Sequence, residues 1–465
     1  MMELPIAIIG AGPVGLAAAA NLVARGLPVR VYEAGAAAGA SISDWGHVRL
    51  FSPWAYNVDP AARSLLEKAG WQTPDEAAYP TGSDLVSAYL APLSQTPELA
   101  PVIEYSARVK AIGRRGVDKV VSRDRELRPF QLTIVDRAGR VRRELARAVI
   151  DASGTWTSPN PLGAGGVAAE GEEASASRIA YNIPDVLGRD RATHAGRTTV
   201  VVGAGHSAAN VLLDLAELAT TEPATRAIWL TRSTNLSRVY GGGANDQLAA
   251  RGDLGERLRQ LVEAGSIELV TSFAATAVRE VNGQLALDGE TPDGLRTVSA
   301  VDRIVVCTGQ RPDLSLTREL RIELDPWLES ARALGPMIDP NLHSCGSVPP
   351  HGHRELSHLE PGFYTVGIKS YGRAPTFLML TGYEQVRSVV AAIAGDLVAA
   401  DDVQLVLPET GVCTAAPAST GGCCGGPAPS SVDACCADDA SAKAQGKAGC
   451  GCGSTSKTNA TAHAQ

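Results

Sequence analysis

The chain has 465 residues, about three times the ~150 residues of an average domain, so two or three packed units are expected. Its composition, 45% hydrophobic and 20% charged, is that of a globular protein, while a net charge of -8 and a pI near 5.6 provide no basic footprint for nucleic acid or an anionic membrane. Of nine cysteines only Cys307 and Cys345 lie in the body of the chain, which excludes a disulfide framework.

In chain order, Ile6 to Val23 is apolar enough to suggest a secretory signal, but glycines and Pro13 interrupt it and no basic segment precedes it. It reads instead as strand, turn and helix, and a cytoplasmic location is expected. Ile6–Ile9 predicts a strand, Leu16 to Arg25 a helix that Gly26 stops, and Val29–Tyr32 a second strand, which together make a βαβ start. Between strand and helix stands Gly10-Ala11-Gly12-Pro13-Val14-Gly15. In that context the first glycine permits a tight turn, the second lets a pyrophosphate approach the backbone, and the third lets helix and strand pack closely. Glu33 closes the next strand, where a carboxylate accepts hydrogen bonds from an adenosine ribose.

Phe130 to Val135 and Ala148 to Ile150 predict further strands. The opening grammar then recurs: Thr199 to Val202, the turn Gly203-Ala204-Gly205-His206-Ser207-Ala208, a helix over Ala208 to Ala219, and a strand over Ala227 to Thr231. Alanine stands in the third position, which the pattern tolerates. Arg232 occupies the strand end where an acid would favour NADH; a guanidinium there suits the 2′-phosphate of NADPH, or else it is a solvated strand-end charge. His206 either touches the nucleotide or caps its helix. Val301 to Val306 closes the second unit before Gly309, another strand is expected near Gly362 to Gly367, and a helix over Gly382 to Ile393.

After Pro408 the composition changes to Ala, Gly, Ser, Thr, Pro, Asp, Lys and Cys, with too little apolar surface to offset ordering entropy, so a disordered tail is expected without metal. Its seven cysteines, Cys413, Cys423, Cys424, Cys435, Cys436, Cys450 and Cys452, are thiolates that select a soft metal or metalloid ion. Their spacing does not match the C-x2-C pairs of a zinc ribbon. The fold class is therefore α/β, with two Rossmann-like dinucleotide-binding units and a Cys-rich tail. The expected boundaries are 1–190 and 321–408 for the first unit in two parts, 191–320 for the second, and 409–465 for the tail. The partners expected are a small-molecule substrate and the ion at the tail, with neither nucleic acid nor membrane; a homodimer is left open.

Two such units, closed by Asp151-Ala-Ser-Gly-Thr155 and Cys307-Thr-Gly-Gln-Arg-Pro312, resemble the two-dinucleotide flavoproteins, and among them the flavin-dependent monooxygenases. The runs Trp45 to Trp54, His343 to Gly346 and Lys369 to Phe377 are similar to flavoproteins of bacterial arsenic-resistance operons. The resemblance implies FAD at the first turn and NADPH at the second. It further implies cofactor contacts from Trp45 and Arg49, with His47 and Trp54 as neighbours, from Asp151, Gly154, Gly309 and Gly367, and from Lys369 with Tyr371 and Arg373. This sequence departs from the family where Tyr181 to Gly188 replaces a Phe-Gly-His signature and where Ile368-Lys369 stands in place of an acid after Gly367. The implied reaction passes reducing equivalents from NADPH through the flavin and one oxygen atom to a soft nucleophile such as trivalent arsenic or an organoarsenical.

Two rivals stay open. One is an FAD/NADPH-dependent dithiol or metal reductase that uses the tail cysteine pairs, and the other is a metalloid-binding chaperone. Cys345, between His343 and the pair His351 and His353, either binds a soft ion or packs as a small hydrophobe. No catalytic residue is assigned.

Overall fold

A computed structural model describes residues 3–405 except 242–248, 343–347 and 376, so Cys345 and the whole cysteine tail lie outside the described residues. Two parallel five-stranded sheets form the frame.

The first sheet is built on β1 (Ile6–Ile9), whose four residues are all buried, as expected of a parallel strand covered on both faces. Proline at the first turn starts α1 (Pro13–Ala24), and Gly26 at φ +69° ends the turn that follows it. β2 (Val29–Tyr32) pairs with β1 in parallel, and β3 (Ile103–Glu104) extends that edge. β4 (Ala107–Arg114), β5 (Phe130–Asp136) and β6 (Val141–Ala146) then form a separate antiparallel sheet. After it the chain returns as β7 (Ala148–Asp151), on the other side of β1.

The second unit repeats this plan. β8 (Ile179–Tyr181) precedes β9 (Thr198–Val202), α2 (His206–Thr221), β10 (Arg226–Leu230), α3 (Ala249–Glu263) and β11 (Ile267–Val270). A second antiparallel sheet of β12 (Ala274–Val281), β13 (Gln284–Thr291) and β14 (Gly294–Val301) is inserted before β15 (Arg303–Val306). The strand order is β11-β10-β9-β15-β8. Since β8 pairs with β15, the second sheet takes its edge strand from upstream of residue 191. The run Val301 to Val306 also divides, with Val301 ending β14 and Arg303 opening β15.

The chain then returns to the first sheet as β16 (Phe363–Thr365), beside β7 in the order β16-β7-β1-β2-β3. It continues into α4 (Met379–Ile393), which packs on α1 so closely that a side chain at Gly382 would lie 2.6 Å from Val14 Cγ2, and a short helix, Leu397–Asp401, follows. One charged cluster is buried where the antiparallel insert meets this return: Glu360 accepts from Arg114 at 2.7 Å and from Arg125 at 2.7 Å, all three about 3% exposed or less. Among the described residues no helix is long and apolar enough to cross a membrane.

Candidate functional site

Both glycine turns fall at the carboxyl ends of parallel strands, where open α/β sheets bind ligands. At the first turn Gly10 has φ +99°, and a Cβ there would stand 2.8 Å from the Ala152 carbonyl oxygen. A Cβ on Gly15 would come within 2.1 Å of the Gly10 carbonyl oxygen, whereas one on Gly12 would meet nothing within 4 Å. The turn is thus closed on its protein side and open on the other. Glu33, at the end of β2, accepts from the Ala11 amide at 2.7 Å and the Gly35 amide at 2.6 Å, so its carboxylate holds the turn while still facing the cavity.

That cavity, of about 870 Å³, is lined by Gly10, Gly12, Pro13 and Glu33 at one end and by Trp45, Arg49, Gly154 and Gly367 further along. Gly154 and Gly367 have φ of +71° and +70°. Arg49 donates to the Tyr79 carbonyl oxygen at 2.7 Å, which leaves the rest of its guanidinium for the cavity. Trp45 sits 6.3 Å, ring to ring, from Trp156, whose indole N–H donates to Asp44 at 3.1 Å. At the far end the wall includes His206, the first residue of α2, packed edge-on against Phe51 at 5.1 Å. A single cavity therefore runs from the first turn to His206 of the second, whose Gly203, Gly205 and Ser207 are not in its wall.

At the second turn Gly203 has φ +135°, and a Cβ there would meet the Cys307 carbonyl oxygen at 2.2 Å. Gly205 again faces open space, Ala208 is fully buried in the helix packing, and Ser207 lies between them, half-buried. Gly309, at φ +89°, lies where the chain crosses between the units beside Asn160 rather than in the cavity wall. Arg232 is exposed and donates to the Ala164 carbonyl oxygen at 2.8 Å.

Several expected residues stand elsewhere. Lys369 and Asp151 do not line the cavity: Nζ of Lys369 donates to Asp151 at 2.7 Å and to Ser153 at 2.9 Å, with side chains 2% and 0% exposed. Where direct cofactor contacts were expected of both, the two side chains face each other, because a buried ammonium beside a buried carboxylate pairs with it first. Ser153, bonded through its amide and hydroxyl to Asp151, carries the pair to the cavity wall. Trp54 is buried in the core. His47 packs against Pro184 and Asp185 of the second unit, and burial pulls its pKa below the usual histidine range. Of the expected histidines, His343 lies outside the described residues, His351 pairs with Gln385 and His353 with Asp401. Cys307, the one described cysteine, is buried below the second turn with its thiol on the Asn182 carbonyl oxygen at 3.1 Å, and burial pushes its pKa up to about 12. Among the described residues no group of three potential metal ligands exists.

The sequence reading missed Phe51, Trp156, Arg251, Gln310 and Phe377, all in the cavity wall. Trp156, directly after Asp151-Ala-Ser-Gly-Thr155, and Gln310, after Gly309, could have been found from their strand-end positions.

The family profile described as pyridine nucleotide-disulphide oxidoreductase matches residues 4–332. No curated protein matches the chain. Among solved structures, the bacillithiol disulfide reductase of Bacillus cereus superposes with a TM-score of 0.62 at 18% identity, over 85% of this chain and 99% of that one. The cadaverine monooxygenase of the Erwinia amylovora desferrioxamine pathway, solved with FAD, has a TM-score of 0.60 at 13% identity, over 88% and 99%. A flavin-containing monooxygenase from Stenotrophomonas maltophilia has 0.54 at 22%, over 85% and 99%. At these identities the likeness is one of fold.

Proposed function

The chain belongs to the pyridine nucleotide-disulphide oxidoreductase family, and from that premise we propose that it is an FAD- and NADPH-dependent monooxygenase acting on a soft nucleophile such as trivalent arsenic or an organoarsenical, in arsenic resistance. The observation that carries this reading is one cavity running from the first glycine turn to His206 of the second, with no cysteine in its wall among the described residues. Gly10, Gly12, Pro13 and Glu33 hold the adenine-nucleotide end of FAD, the open notch at Gly12 admitting the pyrophosphate. Gly203, Gly205 and the start of α2 do the same for NADPH, with Arg232 for the 2′-phosphate. When bound, the flavin accepts hydride from NADPH and supplies the reduced-flavin chemistry toward oxygen.

The chain's own part is binding, orientation and exclusion of water. Tyr371, Phe377 and Trp156 give the cavity apolar walls that keep it dry, and Arg49 and Asp44 place charge near its mouth. Lys369 and Asp151 neutralise each other beneath Ser153, so the wall there is rigid and carries no net charge. The seven tail cysteines, outside the described residues, capture the metalloid and raise its local concentration at the cavity.

A second reading, a dithiol or metal reductase, is supported by the similarity to a bacillithiol disulfide reductase. It needs a thiolate at the flavin, and Cys307 is buried, outside the cavity, with its pKa raised to about 12. Only Cys345 or the tail remains for that role.

The test follows NADPH and oxygen consumption by the flavin-loaded protein with and without trivalent arsenicals, comparing the full chain with one ending at Thr410. Arsenical-stimulated oxygen uptake with a pentavalent product supports the monooxygenase, and a raised apparent KM in the shorter chain assigns capture to the tail. Anaerobic NADPH oxidation coupled to disulfide or metal reduction sinks it in favour of the reductase. Tight metalloid binding with negligible turnover means a chaperone.

A further inference from the structure

Outside the cavity, the loop 162–169 carries an arrangement that the proposed reaction does not use. One buried carboxylate, Glu172, ties both ends of the loop, accepting from the Leu162 amide at 2.9 Å and the Ala169 amide at 2.7 Å, and it also accepts from the Tyr181 hydroxyl at 2.5 Å. The Gly166 amide bonds back to the Gly163 carbonyl oxygen, and a Cβ on Gly163 would strike the Val167 carbonyl oxygen at 2.1 Å, so the loop is compact and fixed.

Arginines from three different segments gather on this glycine loop. Arg311 donates to Asn160 at 2.9 Å and to the Gly166 carbonyl oxygen at 3.1 Å, which orients its fork. Arg373, exposed, makes no side-chain hydrogen bond among the described residues. The terminal nitrogens of Arg311 and Arg373 lie 3.7 and 3.6 Å from the one point where a Gly166 side chain would begin. Arg232 holds the next carbonyl but one, that of Ala164. Among the described residues none of the three forms an ion pair, in a protein whose net charge is -8. Two guanidiniums brought around one position without a counter-charge repel each other, and an anion between them relieves that repulsion through charge-assisted hydrogen bonds.

We propose that Arg311 and Arg373, converging at Gly166, form a binding site for a tetrahedral oxyanion of the phosphate type. The absence of a side chain at Gly166, whose φ is +78°, leaves the space between the two guanidiniums open. The oxyanion comes either from the 2′-phosphate of a nucleotide, with Arg232 on the same loop, or from a free ion in solution. The site does not depend on the reaction proposed above, because it is read out by binding and not by turnover.

The test is calorimetric titration of the flavin-loaded full chain with inorganic phosphate, alone and with saturating NADP⁺, and with 2′,5′-ADP against 5′-AMP. It is repeated on Arg373→Met and Arg311→Met. Arg373→Met carries the test, since its side chain holds no part of the fold, and a thermal melt checks both variants. Phosphate should bind the unaltered protein, and each variant should weaken it on the order of tenfold. Loss of phosphate binding under NADP⁺, with weaker 2′,5′-ADP but unchanged 5′-AMP, identifies the nucleotide as the source. Phosphate binding that survives NADP⁺ identifies a free oxyanion. Unchanged phosphate affinity in Arg373→Met, or no saturable phosphate binding in the unaltered protein, overturns the proposal.

Discussion

The two glycine turns follow the same grammar, yet the first is closed more tightly than the second. At Gly15 there is no room for a single methyl group, because the Gly10 carbonyl oxygen lies 2.1 Å from where it would be; at the matching place in the second turn Ala208 already carries that methyl, packed into the core. The strand ends differ too. Glu33 is drawn inward onto the Ala11 and Gly35 amides, and Arg232 reaches outward to a loop. Glycine spacing thus marks where a dinucleotide-binding turn lies, while the helix–strand approach and the residue at the strand end shape that place and set its charge.

The largest expected effect breaks that contrast directly. Gly15→Ala should destabilise the protein by on the order of 4 kcal/mol and strip the flavin absorbance from the purified chain, since a backbone carbonyl cannot move aside. The mirror change, Ala208→Gly, should cost only about 1 kcal/mol of helix stability and leave nicotinamide binding in place, as seen by chemical denaturation and by NADPH titration. Equal damage from both would show the turns to be equivalent after all.

Lys369→Met leaves Asp151 buried without its partner. A loss of about 3 kcal/mol is expected in urea unfolding, and a variant as stable as the parent would mean that the pair is not buried as described. Among the described residues no corresponding ion pair lies under the second turn, where Cys307 fills the place. Smaller again is Arg232→Glu, for which the KM for NADPH should rise roughly tenfold with NADH little changed, measured as flavin reduction rates.

The smallest effect concerns the two helices behind the turns. No titratable residue is found in α1, whereas α2 carries Asp214, whose pKa burial, with Glu217 and Asp185 nearby, raises to about 7. A carboxyl held above its unfolded value near 3.8 leaves the native state binding more protons, so its unfavourable contribution grows as pH rises from about 4 to about 7 and is complete above that. Asp214→Asn should therefore raise stability at pH 8 and change it almost not at all at pH 4, compared in paired thermal melts. An equal gain at both pH values would assign the effect to packing.

Much of this was legible in the sequence for a specific reason. Strand β1 is an uninterrupted apolar run and β9 ends in three valines, and the glycines stand at fixed offsets from both, so the two βαβ starts, their helices and the place of Glu33 and Arg232 follow from local chemistry alone. The late helix also emerges close to its expected span, at Met379–Ile393. What local pattern cannot carry is which distant segments meet. Lys369 and Asp151 are 218 residues apart, and their pairing follows from β16 lying beside β7, a register that neither segment encodes by itself.

The same division holds for the site as a whole. The two glycine turns, the charge at each strand end and the concentration of thiols after Pro408 follow from residue type and short spacing. Only chain packing sets that one cavity runs from the first turn to His206, that Phe51 and His206 meet in its wall, that Trp54 and Cys307 are buried, and that Arg311 and Arg373 converge on Gly166. These depend on strand order and on the packing of one unit against the other, where burial and the need to pair each buried charge select among contacts that the linear pattern leaves equal.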